Sequence, residues 1–131
     1  MLSRLFTPKT VVQAHCDLPC GVYDPAQARI EAESIKMIIQ KVGENADADF
    51  RTRAILIKEQ RAELVKHHLW VLWTDYFKPE HAAKYPQLHQ LFWDTTKAAG
   101  AVKKSLDPGD AQKLLDQIDE IAKIFWETKK A

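Results

Sequence analysis

Cysteine is nearly missing from this 131-residue chain: there are two, Cys16 and Cys20, with Pro19 between them and no other thiol. So few thiols exclude the disulfide framework of a small secreted domain and point instead to metal or redox chemistry in a reducing compartment. An excess of one charge is missing too, since 19 Lys and Arg stand against 18 Asp and Glu for a formal net charge of +1. Such a balance exerts no global pull on nucleic acid or on an anionic membrane, so any steering of a charged substrate must be local. No run approaches the roughly 18 consecutive apolar residues of a spanning helix, which excludes an integral membrane protein and leaves a soluble one.

With 46% apolar residues the chain has material for one continuous core, and a single domain is expected. Residues 1–14 do not fit that domain. Val12 and Ala14 have a spacing suited to a signal peptidase, but the apolar runs before them are short and broken by Pro8 and Lys9. The segment reads as a pro-segment rather than a secretory signal.

The rest of the sequence has the periodicity of helices and no alternating strand pattern. Asp24, Pro25 and Gln27 form a helix start, with an N-cap acceptor, a first-turn proline and a capping-box partner, and predict a helix over 25–42 that ends at Gly43. Its apolar positions Ile30, Met37, Ile38 and Val42 are expected to face the core, with Arg29, Glu33, Lys36 and Gln40 opposite. Asp47 or Asp49 caps a second, long helix reaching about Phe77, with a heptad-like seam of Ile55, Ala62, Val65, Leu69, Leu72 and Tyr76. A third helix is expected from about Pro86 to Lys104, its last turns weakened by Gly100. The tetrad Asp107, Pro108, Gly109, Asp110 opens a fourth, striped by Leu114, Leu115, Ile118, Ile121, Ala122 and Phe125. Four amphipathic helices on short connections predict an all-α, antiparallel four-helix bundle with a loop at its N-terminal end.

Familiar metal sites of such bundles are excluded by spacing. A di-iron carboxylate centre needs Glu-x-x-His on two helices, whereas the residues three before each histidine are Val12, Leu64, Val65, Lys78 and Pro86. Covalent haem needs Cys-x-x-Cys-His and structural zinc needs four spaced ligands, and neither is present. His67 and His68, adjacent on a helix, point about 100 degrees apart, which is wrong for chelating one ion. They, His81 and His89 are read as packing or hydrogen-bonding residues. What remains is His15, Cys16, Asp17, Leu18, Pro19, Cys20, Gly21, Val22, Tyr23, where an imidazole and two thiols fall within six residues. A tight turn at Pro19 would bring both sulfurs onto one ion.

The string HCDLPCGVYDP resembles the nickel hook of the nickel superoxide dismutase family, and the likeness continues through KEQRAELVKHH, DYFKP, KYPQLHQL and IFWETKKA. The resemblance implies a precursor cut between Ala14 and His15 by a maturation peptidase, with residues 15–131 as the mature helical domain and 15–23 as its hook. It implies one nickel per subunit, held by His15 through its new amino group and imidazole, by the Cys16 main-chain nitrogen and thiolate, and by the Cys20 thiolate. Amine, deprotonated amide and two thiolates make a square plane, which suits Ni(II) or Cu(II) better than zinc, and the thiolates favour nickel because Cu(II) oxidises them. A chain that still begins at Met1 has no free amine at His15 and is expected not to assemble this set.

The resemblance also implies superoxide as substrate, oxygen and hydrogen peroxide as products, and Ni(II)/Ni(III) cycling. Glu31 and Arg61 match the partners that hold the His15 ring; Tyr23 and Asp17 match residues around the hook, and Tyr76 is a further residue lining the site. Lys78 and Lys129 are candidates for drawing the anionic substrate in. Considered without the resemblance, Arg61 is an ordinary ion-pair partner and Glu31 a first-turn carboxylate complementing the helix dipole. Trp70, Trp73, Trp93 and Trp126 are too many for one small core and fit a surface covered on association, as the homohexamer of the family implies. A cytoplasmic location is expected. Two other classes fit the loop alone: a non-catalytic nickel- or zinc-binding bundle, and a thiol-disulfide switch in a helical interaction module.

Overall fold

A computed structural model describes residues 20–130. His15, Cys16 and Asp17, together with the 1–14 segment and its junction, lie outside the described residues. Among the described residues there are five α-helices and no strand: α1 (Ala26–Glu44), α2 (Ala48–Val71), α3 (Pro79–Lys84), α4 (Leu88–Lys104) and α5 (Pro108–Lys130).

Polar side chains close the helix ends at the positions the sequence marks. The Ala26 N–H donates to Asp24 Oδ1 at 2.9 Å, the Phe50 N–H to Asp47 Oδ2 at 2.8 Å, and the Gly109 N–H to Asp107 Oδ1 at 2.8 Å. Each satisfies a donor that the first turn leaves without an intrahelical acceptor. Gly43 does not end α1, which continues to Glu44 and stops where Asn45 turns extended. There Arg51 of α2 donates to the carbonyls of Val42 (2.6 Å) and Asn45 (3.3 Å), tying the turn down from the next helix.

The four long helices pack in a ring, α1 on α2, α2 on α4, α4 on α5 and α5 on α1. The three-residue links 45–47 and 105–107 make the neighbours they join antiparallel, as in a four-helix bundle. The core they enclose is built from Ile35, Ile39, Val65, Leu69, Leu88, Val102, Leu114, Ile118, Ile121 and Phe125 with small residues between them. Burial of each large apolar side chain contributes about 1.5–3 kcal/mol.

Three features correct the sequence reading. The buried stripe of α1 is Ala28, Ala32, Ile35, Ile39 and Val42, whereas Ile30 and Met37 are 59% and 49% exposed. Small alanines let α1 approach its neighbours, so the phase follows them and not the largest side chains. The long second helix loosens at its end into a π turn, Leu72–Tyr76, where the Phe77 N–H donates five residues back to Leu72 O at 2.9 Å. The short helix α3, opened by Pro79, then fills the link to α4. Among the described residues no helix is long and apolar enough to cross a membrane.

Among the described residues one charged side chain is in the core. Lys58, 1% exposed, occupies the α2 seam and donates from Nζ to the carbonyls of Val102, Lys103 (3.1 Å) and Ser105 (2.6 Å). Those carbonyls belong to the C-terminal end of α4, so an ammonium with three protons meets three acceptors at the negative end of a helix. Burial holds Lys58 below the ordinary lysine value, with the negative charge of Glu59 opposing.

Candidate metal centre

Cys20 is the first described residue of the loop, and its Sγ accepts a hydrogen bond from the Val22 N–H at 3.4 Å. Between them Gly21 has φ +73°, a left-handed conformation that only glycine adopts without strain. The turn thus aims a main-chain N–H at the Cys20 sulfur.

Tyr23, three residues on, packs its ring on the edge of the core at 5.6 Å and 56° from that of Tyr76. The π turn aims Tyr76 there; insertions of this type are frequent at functional sites. The Tyr76 ring also lies 4.3 Å from Phe125 and 5.8 Å from His81, and its hydroxyl is 2.6 Å from Thr128 Oγ1. Lys129 holds its ammonium 5.0 Å from the centre of the same ring. Three segments that are distant in sequence, 20–23, 72–76 and 125–129, converge here.

Glu31 of α1 and Arg61 of α2 meet as an ion pair, with Arg61 Nη1 3.0 Å from Glu31 Oε2 and 3.3 Å from Oε1. The carboxylate is the more enclosed of the two, 15% exposed against 37% for the arginine. Lys78 stands exposed before α3, its N–H donating to His81 Nδ1 at 3.1 Å. The His89 ring lies 5.7 Å from that of Trp73, and the His67 and His68 rings lie 5.8 Å apart. Among the described residues no group of three or more His, Cys, Asp or Glu side chains is placed to hold a metal ion. The imidazole and two thiols in the hook sequence are donor types that suit nickel, and Cys20 is the one of them among the described residues.

Comparison with known proteins decides the family. Residues 10–129 match the family described as nickel-containing superoxide dismutase. The chain belongs to that family. As a member of the nickel-containing superoxide dismutase family it is an oxidoreductase with nickel as its cofactor. Superoxide dismutase [Ni] of Streptomyces coelicolor (strain ATCC BAA-471 / A3(2) / M145) is 68% identical over 131 residues, covering 100% of both chains. A native nickel superoxide dismutase structure is 68% identical with a TM-score of 0.87, and covers 89% of this chain and 100% of its own. A solved variant with its first residue, a histidine, replaced by alanine is 65% identical with a TM-score of 0.81, covering 82% of this chain and 99% of its own.

Thr128 and Lys58 were missed in the sequence. Thr128 gives no signal, being one hydroxyl in a basic helix end. Lys58 gives one: at the four-residue step between Ala54 and Ala62, it is a charge in the middle of an apolar seam.

Proposed function

We propose that residues 1–14 are removed as a pro-segment and that the domain 15–131 disproportionates superoxide at a nickel ion held by His15, Cys16 and Cys20. The observation that carries the reading is the hook string HCDLPCGVYDP entering α1 directly, with Tyr23 packed on Tyr76 and the Glu31–Arg61 pair on the adjoining helices. The comparisons support the cleavage point. The solved native relative, covered in full, spans 89% of this chain, which is the share left when 14 residues are taken from 131, and the solved variant carries alanine in place of a histidine that is residue 1 of its parent.

Bound in this hook, nickel supplies a one-electron couple, Ni(II)/Ni(III), brought by anionic donors into the range where superoxide is both oxidised and reduced. The balance is two superoxide ions and two protons to one oxygen and one hydrogen peroxide. Everything else falls to the chain. The Val22 N–H tempers the donor strength of the Cys20 sulfur. In this reading Glu31 would give the His15 imidazole an acceptor, and Arg61 holds that carboxylate in one orientation. Tyr23 and Asp17 border the approach to the ion, and Tyr23 limits what reaches it. Lys129, and less directly Lys78, raise the local concentration of a small anion on a nearly neutral protein.

The active form in this reading is a homohexamer in the cytoplasm, matured by a peptidase that recognises the Ala14–His15 junction. Trp70, Trp93 and Trp126, each about half exposed in the single chain, support an assembly that covers them.

The test compares protein starting at Met1, protein starting at His15, and the latter with Cys16→Ser, each loaded with nickel. Bound metal and the decay of superoxide are measured. Only the second is expected to hold one nickel per chain and to speed decay; a metal-handling protein would bind nickel and leave decay unchanged, and a thiol switch would cycle its cysteines with negligible metal. Decay no faster than buffer with loaded protein starting at His15 overturns the proposal.

A further inference from the structure

The hydrogen bonds around Tyr76 assign its phenolic proton. Thr128 Oγ1 is 2.6 Å from the Phe125 carbonyl oxygen and 2.6 Å from the Tyr76 hydroxyl. A carbonyl can only accept, so the single proton of Thr128 points to Phe125. The contact with Tyr76 then has one arrangement left, in which the phenol donates to Thr128. A hydroxyl bonded to its own helix is fixed in rotamer, so Thr128 is a rigid acceptor rather than a free rotor. Tyr76 is fixed at the other end of its ring as well, between Phe125, Phe77 and His81 with Lys129 over its face.

We propose that Thr128 is a positioning residue of the superoxide site, acting through Tyr76. The inference rests on the reading that the hook bordered by Tyr23 carries the reacting centre. By taking the phenolic proton, Thr128 leaves the Tyr76 oxygen able only to accept further hydrogen bonds, and it fixes the ring on which Tyr23 packs. Tyr76 is therefore a wall and an acceptor and does not donate a proton. The two protons that peroxide formation consumes come from other groups or from solvent. Thr128 and Lys129 lie on the same final turn of α5, so the residue that orients the ring is adjacent to the one that lays a cation over it.

The experiment uses the nickel-loaded protein starting at His15, with Thr128→Val, Thr128→Ser, Tyr76→Phe and the double variant Tyr76→Phe with Thr128→Val. Loss of one neutral hydrogen bond predicts about a fivefold fall in kcat/KM for Thr128→Val. Ser restores it, Tyr76→Phe costs about the same, and the double variant costs no more than either alone. A second readout is the Cζ carbon resonance of 13C-labelled Tyr76 in the reduced protein, which moves in Thr128→Val and returns in Thr128→Ser whatever the activity. Equal losses from Thr128→Val with and without the Tyr76 hydroxyl, or an unmoved resonance, overturn the proposal. A loss of orders of magnitude in Tyr76→Phe together with an altered solvent deuterium effect also overturns it, by making Tyr76 the proton donor. Wild-type protein that leaves superoxide decay at the buffer rate removes the hook reading and this role with it, while the resonance still reports whether the bond exists.

Discussion

Glu31 and Arg61, 30 residues apart in sequence, meet across the α1–α2 contact with Nη1 3.0 Å from Oε2. The pair is asymmetric. The carboxylate is mostly covered and the guanidinium reaches solvent, so the arginine serves the glutamate more than the reverse.

That asymmetry separates a structural pair from one that orients another group. A partly exposed ion pair stabilises a fold by about 1 kcal/mol or less. A residue that orients a metal ligand changes metal affinity or activity by about 10- to 100-fold when removed. Glu31→Gln and Arg61→Ala are therefore expected to shift urea unfolding by about 1 kcal/mol at most. Superoxide turnover per bound nickel is expected to fall at least about tenfold, more in Glu31→Gln than in Arg61→Ala. Equal and small effects on both measurements would reduce the pair to a helix tie.

The phase of α1 supplies a prediction about folding. Ile35 is fully buried and Met37, two residues on, is half exposed. Ile35→Ala is expected to lower unfolding free energy by about 2–4 kcal/mol, and Met37→Ala by no more than about 0.5 kcal/mol. Reversal of the two in chemical denaturation would return α1 to the face expected from the sequence.

The same helix shows what can be read without coordinates. Asp24, Asp47 and Asp107 announce helix starts because a cap is a local interaction, complete within three residues of chain. The face of a helix is not local. Ala28 and Ala32 carry little hydrophobic signal of their own, and only the closeness of neighbouring helices makes them core. The π turn and α3 were illegible for a related reason, since nothing in LWTDY differs from ordinary helix until Tyr76 must be turned toward Tyr23 and Phe125. Glu31, Arg61, Tyr23 and Tyr76 were singled out by resemblance and not by periodicity. Coordinates bring them together as two pairs, and Thr128 became visible only through its contact with one of them.

Lys58 carries a prediction with a definite sign in pH. Its folded pKa lies below the ordinary value of 10.5, with burial as the cause. At neutral pH both folded and unfolded chains hold the proton, and the folded state bears the cost of an enclosed charge, partly offset by three carbonyls. As pH rises through the folded pKa toward 10.5, the folded chain releases its proton before the unfolded chain does. The unfolded state then binds more protons, so stability from this group rises with pH in that window and levels off above it. Lys58→Met leaves the three α4 carbonyls without a donor and is expected to cost about 2 kcal/mol at neutral pH. Urea melts of both proteins at increasing alkaline pH should show the gap widening in favour of Lys58; a gap that narrows contradicts the depressed pKa.

Metal removal should divide activity from fold. Among the described residues the buried core is drawn from α1, α2, the π turn with Phe77, α4 and α5, and of the described hook residues Tyr23 alone packs on its edge. Chelation of nickel from protein starting at His15 is thus expected to abolish superoxide turnover while far-UV circular dichroism retains its helical signal. Restored nickel should recover turnover in that protein and fail to do so in Cys20→Ser, which lacks the sulfur that accepts the Val22 N–H. Gly21→Ala tests the turn itself, because a side chain at φ +73° is strained by about 1–2 kcal/mol wherever it points. If the turn must hold Cys20 toward the ion, that strain appears as weaker nickel binding with unchanged helix content. If it appears instead as a loss of helical melting temperature with nickel affinity intact, the loop belongs to the bundle and not to the metal.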